Sequence, residues 1–171
     1  FILLEQRGEA VKIGVPKEIK PQENRIGLTP ERVKALTSNG NEVLVENNGG
    51  FEAGFDNEQY KKAGAKIVNK AEDIFNEAEL IVKVKEPLSN EVKMIRENQI
   101  VFTYLHLAAA KELTQGLINS KGVCIAYETV TDNNGRLPLL APMSAVAGRM
   151  SVQAGAHCLE KNQKGRGLLL G

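Results

Sequence analysis

Short β-branched runs alternate with amphipathic stretches along most of the chain, and that alternation predicts the fold. From Val11, "VKIGVP" reads as a strand. "LTPERVKALTSNG" follows as a helix, with Thr29 as N-cap, Pro30 at its first position and Gly40 closing it. "NEVLVEN" is a second strand, "DNEQYKKAG" a short helix ended by Gly64, "AKIV" a third strand and "AEDIFNEA" a helix. "LIVKVKEP" is a fourth strand and "NEVKMIREN" a helix. "QIVFTYLHL" is a fifth strand, "AKELTQGLINSKG" a helix and "VCIAYETV" a sixth strand. Strands and helices of these lengths in alternation argue an α/β fold, a mostly parallel sheet flanked by helices and wound by right-handed crossovers.

The texture changes after the loop "DNNGRLPLL". "APMSAVAGRMSVQAGAHCLEKNQKG" is rich in Ala, Gly and Ser and reads as one long helix over 143–161, its small residues permitting close packing against another element. The closing "GRGLLLG" reads as a loop leading into a further domain. The fold class expected is therefore an α/β domain of the Rossmann or flavodoxin-like kind, followed by a long small-residue-rich helix.

Composition narrows the function classes. A chain of 171 residues and 18.6 kDa is long enough for one sizeable core. Its 22 basic and 21 acidic residues are spread along the chain, and no basic run or aromatic-basic patch makes a case for nucleic acid. No apolar run approaches the roughly 20 residues of a membrane-spanning helix. The opening "FILLEQRGEA" turns charged after four apolar residues and lacks the features of a signal peptide. Cys124 and Cys158 belong to no metal or redox motif, and read as two small buried thiols in a reducing, cytoplasmic compartment. No metal is expected.

In open parallel sheets, ligands bind beyond the carboxyl ends of the strands. Lys85 closes the fourth strand just before Glu86 and Pro87, His106 ends the fifth, and Arg25 lies in the loop after the first. Lys83 shares a face with Lys85 by strand alternation, but alone it reads as solvated or edge-facing and is set aside. Each group has a plainer interpretation. Lys85 fits a snorkelling surface lysine, Arg25 a partner of Glu18 or Glu23, and His106 a core histidine. Jointly they suit a small carboxylate. Arginine offers a planar fork, lysine a point charge, and histidine a proton shuttle near neutrality. That set fits 2-oxo acid or amino acid chemistry without choosing between them.

The motifs "IGVPKEIKPQENRIGLTP", "KVKEP", "TYLHLAA", "AYETV" and "LPLLAPMSAVAGR" occur in an order and spacing that resemble the amino-terminal part of the alanine dehydrogenase and transhydrogenase family, from about Val11 to Gly171. The resemblance implies NAD-dependent, reversible deamination of L-alanine to pyruvate and ammonia, by a homo-hexamer, with NAD bound mainly by a domain beyond this chain. It implies that Arg25 and Lys85 bind substrate, that His106 is the acid/base residue, and that Ser144 touches the dinucleotide. It also implies an organisation: an extension over 1–10, a substrate-binding domain over 11–142, an interdomain helix over 143–164, and the start of the NAD-binding domain at 165–171.

Two departures stand out. The family commonly has an acidic residue after the serine of "PMS", where this chain has Ala145, and "GRGLLLG" is not a GxGxxG fingerprint. The expected function is thus that of an alanine dehydrogenase fragment, inactive alone. The alternatives are a transhydrogenase α-subunit-like domain and a non-catalytic module that captures small carboxylates.

Overall fold

The computed structural model describes residues 10–170. All but one position of the extension expected over 1–10 lies outside the described residues. A first compact unit runs to Tyr127 and a second begins at Glu128.

The first unit is a six-stranded, wholly parallel sheet. Its strands are β1 (Lys12–Val15), β2 (Glu42–Glu46), β3 (Lys66–Val68), β4 (Leu80–Val82), β5 (Ile100–Thr103) and β6 (Val123–Ala126). They lie in the order β3-β2-β1-β4-β5-β6. The chain winds outward from β1 through β2 to β3, then returns to place β4 against the other side of β1. The strand order therefore reverses between β1 and β4, which opens a crevice at their carboxyl ends.

Helices α1 (Pro30–Ser38), α2 (Asn57–Lys62), α3 (Ala71–Glu77), α4 (Ser89–Val92) and α5 (Lys111–Ser120) make the crossovers. Central strands covered on both faces need unbroken apolar runs, and Val43, Leu44 and Val45 are all fully buried. One apolar cluster centres on Val15, Val33, Val45 and Tyr60, and a second on Leu44, Ile74, Phe75 and Ile81. Helix α3 lies so close to β1 that a Cβ on Gly14 would sit 2.4 Å from Ile74 Cγ2. Asp56 starts α2 with a reciprocal capping box to Gln59. Thr29 holds the N-cap position of α1 with extended backbone, yet its hydroxyl makes no capping bond.

Three expectations are corrected. Lys83 is neither solvated nor at an edge: its side chain is 1% exposed. "NEVKMIREN" yields only the single helical turn α4, and the chain leaves the helix in a turn at Lys93 and Met94. Cys158 is exposed, whereas Cys124 is half-buried, and both are free thiols.

In the second unit, α6 (Ala141–Leu159) begins with Pro142 in its first turn. No residue of α6 is buried, so close packing of its small residues is not seen among the described residues. No described helix is long and apolar enough to cross a membrane.

Candidate functional site

Arg25 follows β1 and Lys85 follows β4, the two strands that flank the reversal of strand order. His106 follows β5, the next strand along. The topology thus brings the loops that carry all three residues to adjacent positions along one edge of the sheet.

Strand β4 ends at Val82, three residues before Lys85, for a specific reason. Glu18, on the loop after β1, places its carboxylate where a neighbouring strand's carbonyls would stand. Its Oε1 accepts the Val84 N–H at 2.6 Å and the Lys85 N–H at 3.4 Å. On the other side, the Thr103 hydroxyl donates to the Lys85 carbonyl at 2.9 Å. The Lys85 backbone is held from both flanking strands.

Arg25 is held by Glu23. The carboxylate accepts from Nε at 2.7 Å, from Nη2 at 2.6 Å and from the Arg25 backbone N–H at 3.0 Å. This bidentate pairing carries the Glu23 carboxyl below its ordinary value, and the Lys85 ammonium adds to the effect. Glu23 is therefore the acid that feels both candidate cations. Arg25 is raised in turn, chiefly by Glu23, with Tyr104 and Glu18 contributing. The β1 loop also lines a cleft of about 230 Å³ that includes Arg25, Glu23 and Lys20 on its wall, with Gly49 and Glu52 facing from the loop after β2. Lys85 and His106 do not line that cleft; Lys85 is linked to Arg25 through the field at Glu23, and His106 only through the shared strand edge.

His106 is exposed and sits in the left-handed region at φ 51°. Its ring stacks on Tyr104, with centroids 5.9 Å apart and planes 11° apart. Tyr104 meets Tyr127 edge-on at 5.0 Å, and Tyr127 meets Phe102 edge-on at 4.3 Å. An aromatic wall thus stands behind the imidazole. Burial pushes the Tyr127 hydroxyl up, so it stays protonated throughout the neutral range. Burial is the largest single influence on Glu86 and pushes it up, but the bond and charge of Lys20 and a backbone hydrogen bond, with His106, together outweigh it. His106 helps to carry that carboxyl below its ordinary value, so the two groups share one field.

The sequence missed the buried layer beneath these groups. Lys83 Nζ donates to Glu91 Oε1 at 2.8 Å and to Glu18 Oε2 at 3.3 Å. The available signal was a lysine between valines inside an apolar run, which burial permits only with partners.

Ser144 lies exposed in the first turn of α6, where its N–H donates to the Leu140 carbonyl at 3.2 Å. The "GRG" segment does not form a phosphate cradle. The Gly165 N–H donates to the Glu160 carbonyl at 2.9 Å and the Gly167 N–H to that of Leu159 at 2.8 Å, both spent on closing α6. A Cβ on Gly165 would fall 2.2 Å from the Cys158 carbonyl oxygen, so that glycine serves packing. These residues do not fit a dinucleotide pyrophosphate. Among the described residues no cluster of His, Cys, Asp or Glu could hold a metal ion.

Known proteins resemble this chain in sequence and in fold. The chain is 52% identical to an alanine dehydrogenase of Halomonas elongata over 160 residues and 53% identical to one of Geobacillus stearothermophilus over 161. Each match covers 94% of this chain and 43% of the relative, so the chain spans under half the length of these relatives. Among solved structures, an L-alanine dehydrogenase matches with a TM-score of 0.86 and 52% identity, over 94% of this chain and 44% of that one. A transhydrogenase from Sinorhizobium meliloti matches with a TM-score of 0.67 and 27% identity, over 72% of this chain and 35% of that one. The family profile described as "Alanine dehydrogenase/PNT, N-terminal domain" matches residues 14–147, and the chain belongs to that family.

Proposed function

We propose that the chain supplies the substrate-binding part of an NAD-dependent alanine dehydrogenase, which interconverts L-alanine, water and NAD+ with pyruvate, ammonium, NADH and a proton. The observation that carries this reading is the placement of Arg25 and Lys85 on the two sides of the strand-order reversal, with Glu23 between their fields. The greater identity to alanine dehydrogenases, 52% against 27% for the transhydrogenase, favours it over the transhydrogenase alternative.

Arg25 and Lys85 bring two cations against the one carboxylate of Glu23, so these three groups together carry one surplus positive charge, which a single carboxylate neutralises. Charge-assisted hydrogen bonds of this kind contribute about 1.5–3 kcal/mol each. Arg25 holds the carboxylate by its planar fork, and Lys85 fixes the carboxylate or the adjacent carbonyl oxygen. His106 exchanges the proton of the water that adds to the imine carbon, a role worth about 10²–10⁴ in rate. NAD accepts the hydride in this reaction. Ser144 is the contact proposed for it, and no step is routed through the "GRG" segment. The same reading places the protein in the cytoplasm as a homo-hexamer, which native mass measures directly.

The test is alanine-dependent NADH formation by the product of the complete reading frame that carries this sequence. Turnover supports the reading. Pyruvate binding without turnover favours a carboxylate-capturing module, and alanine-independent hydride exchange between nicotinamide nucleotides favours a transhydrogenase.

A further inference from the structure

Lys83 is the only buried lysine among the described residues, and the catalytic reading gives it nothing to do. Its ammonium lies between Glu91 at 2.8 Å and Glu18 at 3.3 Å, and all three side chains are at most 2% exposed. The remaining oxygens of both carboxylates hold backbone. Glu18 Oε1 takes the N–H groups of Val84 and Lys85, and Glu91 Oε2 takes that of Leu88 at 2.9 Å. Three segments meet in this triad: the β1 loop that also carries Arg25, the β4 exit that carries Lys85, and the turn of α4 beyond Pro87.

A buried ion triad is a poor way to gain stability, because desolvating the charges offsets most of their attraction and an apolar trio of the same volume often does better. What the triad gains is a fixed geometry. Ionic bonds at this depth have short, directional contacts and no competing water, so the spacing between the Arg25 loop and the Lys85 backbone is set before a ligand arrives.

We propose that Lys83 is a positioning residue for substrate binding: by locking Glu18 onto the backbone of Val84 and Lys85, it fixes the distance between the two cations that grip the carboxylate. This inference rests on the carboxylate-binding reading of Arg25 and Lys85.

The test uses the product of the complete reading frame with Lys83→Met, Glu18→Gln and Glu91→Gln, singly and combined. Two readouts apply: the KM for pyruvate against that for NADH, and amide hydrogen exchange of the peptide spanning 83–88. KM does not depend on how much of a preparation is folded, so a purely structural role leaves it unchanged. Lys83→Met and Glu18→Gln are each expected to raise the pyruvate KM about tenfold or more, with the NADH KM within about twofold. Exchange at 83–88 is expected to quicken about tenfold or more. Glu91→Gln, which leaves Glu18 in place, has the smallest effect. Should single variants fail to fold, the combined variant removes every unpartnered buried charge. It is expected to recover the melting temperature while keeping the raised pyruvate KM. Recovery of KM together with the fold overturns the proposal, as do folded single variants with unchanged KM and exchange. Arg25→Met and Lys85→Met separate the two levels. If neither raises the pyruvate KM, the carboxylate-binding reading has failed. If both do while Lys83→Met does not, that reading stands and the role of Lys83 is withdrawn. The exchange readout needs no turnover.

Discussion

Glu23 grips Arg25 along one edge of the guanidinium, with Oε1 accepting from Nε at 2.7 Å and Oε2 accepting from Nη2 at 2.6 Å. The planar fork is thereby oriented before any ligand arrives, and part of its charge is already balanced. A site built this way accepts one further carboxylate without assembling two bare cations side by side.

The first prediction concerns acid stability. Because Arg25 holds the Glu23 carboxyl below the usual carboxylate range, the native state favours the charged form. The stabilisation is present above the unfolded value and is lost as pH falls through the lower, folded one. Glu23→Gln is therefore expected to be less stable than the unsubstituted protein at neutrality, and the gap should close in strong acid. Urea titrations over a pH series measure it. A gap that is constant with pH would show that Arg25 does not act through the carboxylate charge.

Glu46 behaves oppositely. It ends β2, its Oε2 accepts the Lys17 N–H at 2.8 Å, and burial pushes its carboxyl above the usual carboxylate range. A raised carboxyl contributes stability that is complete below the unfolded value and disappears as pH rises through the folded one. Glu46→Gln keeps an oxygen for the Lys17 N–H while removing the titration. The variant should gain on the unsubstituted protein as pH rises past about 4.5, in the same urea series. Parallel curves would refute this.

Much of this architecture is legible in the chain, because periodicity and turn residues are local. "NEVLVEN" and "QIVFTYLHL" each contain a strand, Lys85 and His106 follow the ends of β4 and β5 closely, and Arg25 lies farther along the loop after β1. What local pattern does not carry is partnership across the sheet. Lys83 meets Glu18 from 65 residues away, and nothing in "IVKVKEP" says that a carboxylate waits there. The same carboxylate bonds Val84 and Lys85, so β4 ends earlier than its apolar run suggests. Cys158 misleads for a related reason, since helical periodicity does not say which face of α6 is covered.

Gly27 gives a steric prediction at the same crevice. A Cβ there would lie 2.5 Å from the Val82 carbonyl oxygen and 2.9 Å from its carbon, both backbone atoms of β4 that cannot swing aside. Gly27→Ala must push the loop that carries Arg25 away from the strand that leads to Lys85. Overpacking of this kind costs about 1–3 kcal/mol. The expected outcome is a lower melting temperature together with a raised pyruvate KM. A drop in stability alone, with KM unchanged, would mean that the loop between Arg25 and Thr29 absorbs the shift.

His106 allows a test in which chemistry and folding separate cleanly. The residue is exposed and holds φ at 51°, a conformation that asparagine adopts more readily than most residues. His106→Asn therefore keeps the backbone preference and loses the imidazole proposed to exchange the proton, whereas His106→Ala would add backbone strain to the chemical loss. The stack on Tyr104 goes with the imidazole, and it lies at the surface. For His106→Asn we expect a melting temperature close to that of the unsubstituted protein and a pyruvate KM little changed, because Arg25 and Lys85 still hold the carboxylate. Turnover should fall by about 10²–10⁴, the usual worth of a positioned acid/base group. If His106→Asn turned over within about tenfold of the original, the proton would have to travel through another group, and the field His106 shares with Glu86 makes that carboxylate the next to substitute.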